Sequence, residues 1–398
     1  RCIHWAASIT SARASVPVID TPEPPPPRPS LSFTVAWTVF ALVTFLLVGG
    51  TAQMMQLAWG LWFSELVLFA GLTVIGFQLS SLAPLRTMGL HRFDARTFGL
   101  GFAFGLVNYI AWAVPLMAAA QAVFPKWMVD QFDSSHVFER ASPLELAIVL
   151  VAVCVAAPVG EEFLFRGFLQ RGLTVHRSAP RAIVVTAFIF SAFHLDPVGL
   201  TARFELGVLF GILAWKAGSL WPAIAAHAAN NLISSVLFLA AGDAKEEDLV
   251  WWVPVVMLIV GNIGMVALVR FARDRLVAEP APAELPPTTC DRCGVFLEPA
   301  GFQLQFGKAY CTACAARPEV ALAQNVGRYS LPWLTAGLAS MLLLVAVDWR
   351  GVKLNLIDAQ LQPGRTVSKR DDVKALRSKV RRGEADFQDY ERLVRSLK

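Results

Sequence analysis

The chain has 398 residues, of which 55% are hydrophobic and only 16% charged, against roughly 25% charged in an ordinary soluble domain. With a mean hydropathy of +0.52, this excludes a disordered chain and argues against a purely soluble multidomain enzyme. The net charge of +5 comes from basic groups in short loops and a C-terminal tail. That fits contact with anionic lipid, and no nucleic-acid binding is expected.

Residues 1–32 hold Pro22, Pro24, Pro25, Pro26, Pro27 and Pro29 and read as a disordered N-terminal tail without a signal-peptide pattern. Apolar runs follow at 33–50, 56–78, 97–124, 143–165, 182–195, 199–216, 219–241, 251–270 and 331–347. Most reach the roughly 18–20 residues that cross a hydrocarbon core. They predict an all-α polytopic membrane protein with about eight or nine transmembrane helices: a membrane domain over 33–275 and a further span at 331–347. Gly101 with Gly105, and Gly207 with Gly211, have the small-xxx-small spacing of closely packed helices.

If the helices alternate, one side receives Arg86, Arg92, Arg96, Arg171, Arg177, Arg181, Arg270, Arg273 and Arg275. The other receives Asp130, Asp133, Glu139, Asp243, Glu246, Glu247 and Asp248. The basic side is expected to face the cytoplasm, in a multi-pass protein of the plasma or inner membrane. A ninth span would then place the basic tail on the opposite side from those arginines.

Cys290-Asp-Arg-Cys293-Gly and Cys311-Thr-Ala-Cys314 form C-x2-C-x17-C-x2-C, the spacing of a tetrahedral structural zinc site. A zinc-ribbon-like module is expected over 285–318, on the reducing cytoplasmic side, with Phe296, Phe302, Phe306 and Tyr310 as a small core. Residues 348–398 form a basic amphipathic tail, with Val373, Leu376, Val380, Phe387, Tyr390, Leu393, Val394 and Leu397 at near-helical spacing. Such a tail can lie on the membrane surface or bind a protein partner, as can the ribbon.

Ionisable groups inside apolar segments are costly and lean functional. The fourth run carries Glu161, Glu162 and Arg166, the fifth carries Phe190 and His194, and the seventh carries His227 and Asn231. Glu162 and Arg166, four apart, share a helix face, while Glu161 points about 100° away. At about 1.5 Å per residue from the basic side, Glu161 lies about 16 Å deep, His194 about 20 Å, His227 about 12 Å and Asn231 about 18 Å. One buried site is therefore possible. A Glu and a His can hold and deprotonate a water, and a second His with an amide can donate to an oxyanion. The alternative is polar glue between helices.

The set Glu161-Glu162-x-x-x-Arg166, Phe190-x-x-x-His194 and Gly218-Ser-Leu-Trp-Pro-Ala through His227-x-x-x-Asn231 resembles the three motifs of the CPBP intramembrane proteases, the Abi/CAAX-protease (Rce1-like) family. The resemblance covers a motif core at about 143–241. It implies an intramembrane endopeptidase acting on a membrane-associated protein or peptide. Glu161 would be the general base, His194 would bind or activate the water, His227 and Asn231 would stabilise the oxyanion, and Glu162 with Arg166 would orient the set. Glu161, His194 and His227 could instead ligate a catalytic Zn2+; the metal-free glutamate mechanism is favoured. The rival function is a non-catalytic membrane scaffold or maturation factor that holds a partner through the ribbon. A proton-coupled transporter is weaker, since no inverted repeat is evident.

Overall fold

The computed structural model describes residues 30–80, 82–90, 93–132, 143–241, 252–276, 289–290, 293–297, 302–305, 308–315, 339, 346, 348–361 and 371–396. The N-terminal tail up to residue 29, and all but single residues of the apolar run at 331–347, lie outside them. Helix α1 (Leu31–Met55) begins two residues before the expected boundary, because the Ser30 Oγ accepts from the Phe33 N–H at 3.1 Å and caps it. It is followed by α2 (Leu57–Leu79), α3 (Ala95–Val123), α4 (Pro143–Thr174), α5 (Ala179–Phe193), α6 (Leu200–Ala217), α7 (Trp221–Ala241) and α8 (Trp252–Ala272).

Among the described residues six helices are long and apolar enough to cross a membrane: α1 to α4, α7 and α8. That number covers the described residues, with the run at 331–347 almost wholly outside them, and it agrees with the expected all-α polytopic fold. α5 has only 15 residues, because the chain reverses at 194–199. There Leu195 adopts φ 53°, and the Asp196 carboxylate accepts the N–H groups of Val198 and Gly199 at 2.9 and 3.1 Å. α6 carries Arg203, Glu205 and Lys216 among its 18 residues, too many charges for a lipid-facing span.

α4 lies at the centre and meets α1, α2, α5, α6 and α7. Leu164, Phe165, Phe168 and Leu169 on it are buried between two apolar clusters, one with α1, α2 and α5, the other with α3, α6 and α7. Tryptophans spend their indole N–H on neighbouring backbones, Trp37 on the Leu72 carbonyl (2.9 Å) and Trp62 on that of Ile148 (3.2 Å). The glycine spacing does what it predicts. A Cβ on Gly101 would sit 2.2 Å from the Pro222 oxygen, and one on Gly105 2.2 Å from that of Ala226, so α3 and α7 touch backbone to backbone.

In the polar region β1 (Phe302–Gln305) pairs antiparallel with β2 (Lys308–Cys311), Phe302 opposite Cys311. Tyr310 is buried there, but Phe296 is exposed and contributes nothing to the expected small core; Phe306 lies outside the described residues.

Beyond it, α9 (Trp349–Leu361), α10 (Asp371–Arg382) and α11 (Phe387–Ser396) pack as a three-helix unit. Leu354, Val373, Val380, Tyr390 and Val394 form its core, and the Tyr390 hydroxyl donates to Asp358 at 2.6 Å. The tail's apolar face is thus turned inward rather than offered to lipid. Arg381 bridges Glu145 (2.6 Å) and Asp348 (2.5 Å), which hold its guanidinium above its ordinary value, and Asn355 donates to the Met55 carbonyl at 3.0 Å. The unit therefore sits where α1 ends and α4 begins. Leu276 belongs to the cluster around Leu100 and Leu220, at the opposite end of the bundle.

Candidate active site

Pro158 in α4 has no N–H to give the preceding turn, and the helix has wide, π-type turns over Ala152–Ala156 and Phe163–Gln170. Glu161 and Glu162 lie between them, a placement such turns often have at functional sites. Glu162 and Arg166 are both fully buried and paired at 2.9 Å, as their spacing requires. The second arm of Arg166 donates to the Gly207 carbonyl at 3.1 Å. Its guanidinium lies 4.4 Å from the Phe190 ring centroid and 5.2 Å from that of Phe210, a cation between two aromatic faces.

The same Glu162 oxygen, Oε1, receives His227 Nδ1 at 2.9 Å. With that proton on Nδ1, Nε2 of His227 turns to Glu161, whose Oε2 is 3.8 Å away. That is too long for a hydrogen bond, and a group that bonds both atoms must approach them from the side. Glu161 Oε2 is buried and has no hydrogen-bond partner. Phe210 stacks on the His227 ring at 4.8 Å and 17°, and Phe190 meets it edge-on at 6.1 Å. The imidazole is therefore held by one carboxylate and two aromatic rings.

His194 follows the last residue of α5, and its Nδ1 bonds the Phe190 carbonyl at 2.8 Å, which fixes Nε2 as the acceptor. Glu161, Arg203 and His227 are the charged or titratable groups that act on it. The structure thus brings Glu161, Glu162, Arg166, His194 and His227 together from three separate motifs. Asn231 is held by other partners: its amide donates to the Val153 carbonyl at 2.8 Å and accepts from Asn230 at 3.3 Å, tying α7 to α4.

Sequence reasoning passed over four features. Phe210 gave no signal, since one more Phe in an apolar helix is unremarkable. Asp196 and Arg203 pair across the reversal beside His194. Glu205 accepts from buried Asn108 at 2.8 Å. Glu65, 3% exposed in α2, was visible as an ionisable residue inside an apolar run.

The four sulfurs of Cys290, Cys293, Cys311 and Cys314 lie within 4.8 Å of one another. Cys293 and Cys311 are 3.8 Å apart, the edge of a tetrahedron with metal–sulfur bonds of about 2.3 Å. The Cys311 N–H points to Cys290 Sγ at 3.4 Å, and Gly294 makes the knuckle turn at φ 70°. By themselves clustered thiols oppose ionisation: desolvation, then the thiols of Cys311, Cys293 and Cys290, push Cys314 up to about 12. A divalent cation would reverse that balance. The donor set fits a metal.

Residues 143–233 match the family model described as Type II CAAX prenyl endopeptidase Rce1-like. No curated protein and no solved structure matches the chain significantly.

The buried pair predicts a specific pattern of stabilities. Glu162→Leu or Arg166→Met alone leaves one charge unpaired and should each cost about 3–5 kcal/mol; the double change should recover most of that loss. Denaturation of the purified protein in detergent measures it. A double variant as unstable as the singles would contradict the pairing.

Proposed function

We propose that the chain, an integral membrane protein whose residues 143–233 match the Rce1-like family model, is an intramembrane endopeptidase. It hydrolyses a peptide bond of a membrane-associated protein or peptide, with water activated by Glu161 and the histidines. The observation that carries this reading is the partnerless Glu161 carboxylate oxygen facing His227 Nε2 at 3.8 Å.

Water held beside Glu161 Oε2 and His227 Nε2 gives its proton to Glu161 as its oxygen attacks the scissile carbonyl. His227 enters the step already carrying both ring protons and keeps them throughout, with Nδ1–H on Glu162 and Nε2–H offered to the oxyanion. His194 Nε2 accepts from the water or aligns it. Asn231 has a second amide N–H beyond the one on Val153, and it is the further donor. As the C–N bond breaks, the proton on Glu161 passes to the leaving nitrogen. Glu162 and Arg166 orient His227 and do no chemistry. The rival reading, a non-catalytic scaffold, leaves this aligned set without a purpose.

The arginine-rich end of the bundle faces the cytoplasm in this reading. The four cysteines hold one structural Zn2+; when bound, it supplies the cross-link that folds a segment too small for a core of its own. The ribbon and the three-helix unit are the surfaces for partners.

Glu161→Gln should fold normally and lower turnover of a reporter by about 10²–10⁴-fold, because it keeps shape but removes the proton acceptor. Near-normal cleavage by that variant, measured against a matched wild-type preparation, would sink the assignment.

Metal analysis by mass spectrometry should find about one Zn2+ per chain, absent after Cys290→Ser with Cys293→Ser. Activity on a short peptide should survive that double change. Two Zn2+ in the wild type, with chelation of the second abolishing activity, would replace the metal-free mechanism by ligation through Glu161, His194 and His227.

A further inference from the structure

Glu65 lies in α2, outside all three motifs, yet it is seated on the catalytic turn of α4. A Cβ built on Gly160 would stand 2.4 Å from the Glu65 main-chain oxygen and 2.8 Å from its Oε2. Only glycine before Glu161 lets the two helices approach this closely. The Glu65 side chain is buried, its Oε2 has no hydrogen-bond partner, and the charged group acting on it is Glu161. Glu161 Oε2 is likewise buried and unpartnered. Two buried carboxyl groups with oxygens that accept no hydrogen bond thus act on each other, and among the described residues no cation is paired with Glu65.

Packing alone does not explain an acid here. Ser64 next to it already ties α1 to α2, accepting from Gln53 at 2.7 Å and donating to the Gly60 carbonyl at 2.5 Å. A glutamine or leucine would fill the same space without burying an ionisable group. Carboxyl groups packed side by side in an apolar setting tend to hold one proton between them, and sites that move protons exploit this.

We propose that Glu65 and Glu161 form a carboxyl pair that holds one proton at rest, in which Glu65 acts as a positioning residue: it carries that proton and leaves Glu161 as the carboxylate that takes the proton from water. The inference rests on the endopeptidase reading of the same site. In the first step a water O–H bond breaks and the O–C bond forms, and the proton goes to Glu161. In the second the C–N bond breaks and the leaving nitrogen takes a proton from the pair. One water is consumed, and both carboxyl groups return to their starting state. The groups that face Glu161 from the elements around it are Arg166 of α4, His194 after α5 and His227 of α7, whose Nε2 lies 3.8 Å from Glu161 Oε2.

The test is steady-state cleavage of a reporter by full-length protein in detergent, per folded molecule, across pH. Glu65→Gln should lower kcat by at least about tenfold, leave KM within about twofold, and change the acidic limb of the pH profile. Glu65→Asp, which keeps the acid, should retain clearly more activity than Glu65→Gln. Wild-type kcat and pH dependence in Glu65→Gln, or equal losses in the Asp and Gln variants, would overturn the pair. So would a drop in folded protein with normal kcat per folded molecule. Glu161→Gln in parallel separates the two levels. If it is inactive while Glu65→Gln is normal, only this inference fails; if it is active, the endopeptidase reading fails first.

Discussion

A guanidinium buried among apolar helices must find a negative partner or not be there, and Arg166 is completely buried. Its answer is Glu162, one helical turn earlier, with Gly207 and two aromatic rings completing the enclosure. Much else follows from that pairing. The same Glu162 oxygen takes His227 Nδ1, so the charge pair also sets the tautomer and angle of an imidazole on another helix. Close contact of α5 with α6 at Gly207, where a Cβ would lie 2.9 Å from Ala187, brings the Gly207 carbonyl within reach. The pair is therefore less a source of stability than a fixed reference for the groups around it.

The motif residues were legible because polar side chains are conspicuous in apolar segments. The four-residue spacing of Glu162 and Arg166 alone dictates their contact, and the depth arithmetic placed three helices' polar groups in one slab. What it could not supply was direction around each helix axis. Asn231 and His227 share a face by spacing and both meet α4, but at different levels, Val153 and Glu162. The wide turns of α4 alter the phase of side chains that regular helical counting assumes. Glu65 was legible as an anomaly only; its meeting with Gly160 is a long-range contact that no local pattern encodes.

Away from the site, the reading of elements was better than the reading of boundaries. Runs five and six meet at an Asp-capped reversal that local hydropathy does not reveal, so α5 stops after 15 residues. The tail shows a different failure. Its apolar stripe was recognised correctly, but a stripe does not name its partner, and here α9 supplies Leu354 and Asp358 to close the core against α10 and α11. Arg381 then clips the unit to Glu145 at the start of α4. The helix that carries the candidate base thus has the tail unit at one end and arginines at the other.

The central claim is that a water, oriented by Glu161 and a His227 fixed through Glu162, attacks the peptide bond directly. Cleavage of a reporter in water enriched in oxygen-18, with mass spectrometry of both fragments and of the protein after a single turnover, tests it most directly. Direct attack by water puts one heavy oxygen in the new C-terminal carboxylate at the first turnover and leaves no covalent adduct on the protein. A fragment trapped on a side chain, with a first-turnover product released only by a second step, would contradict it.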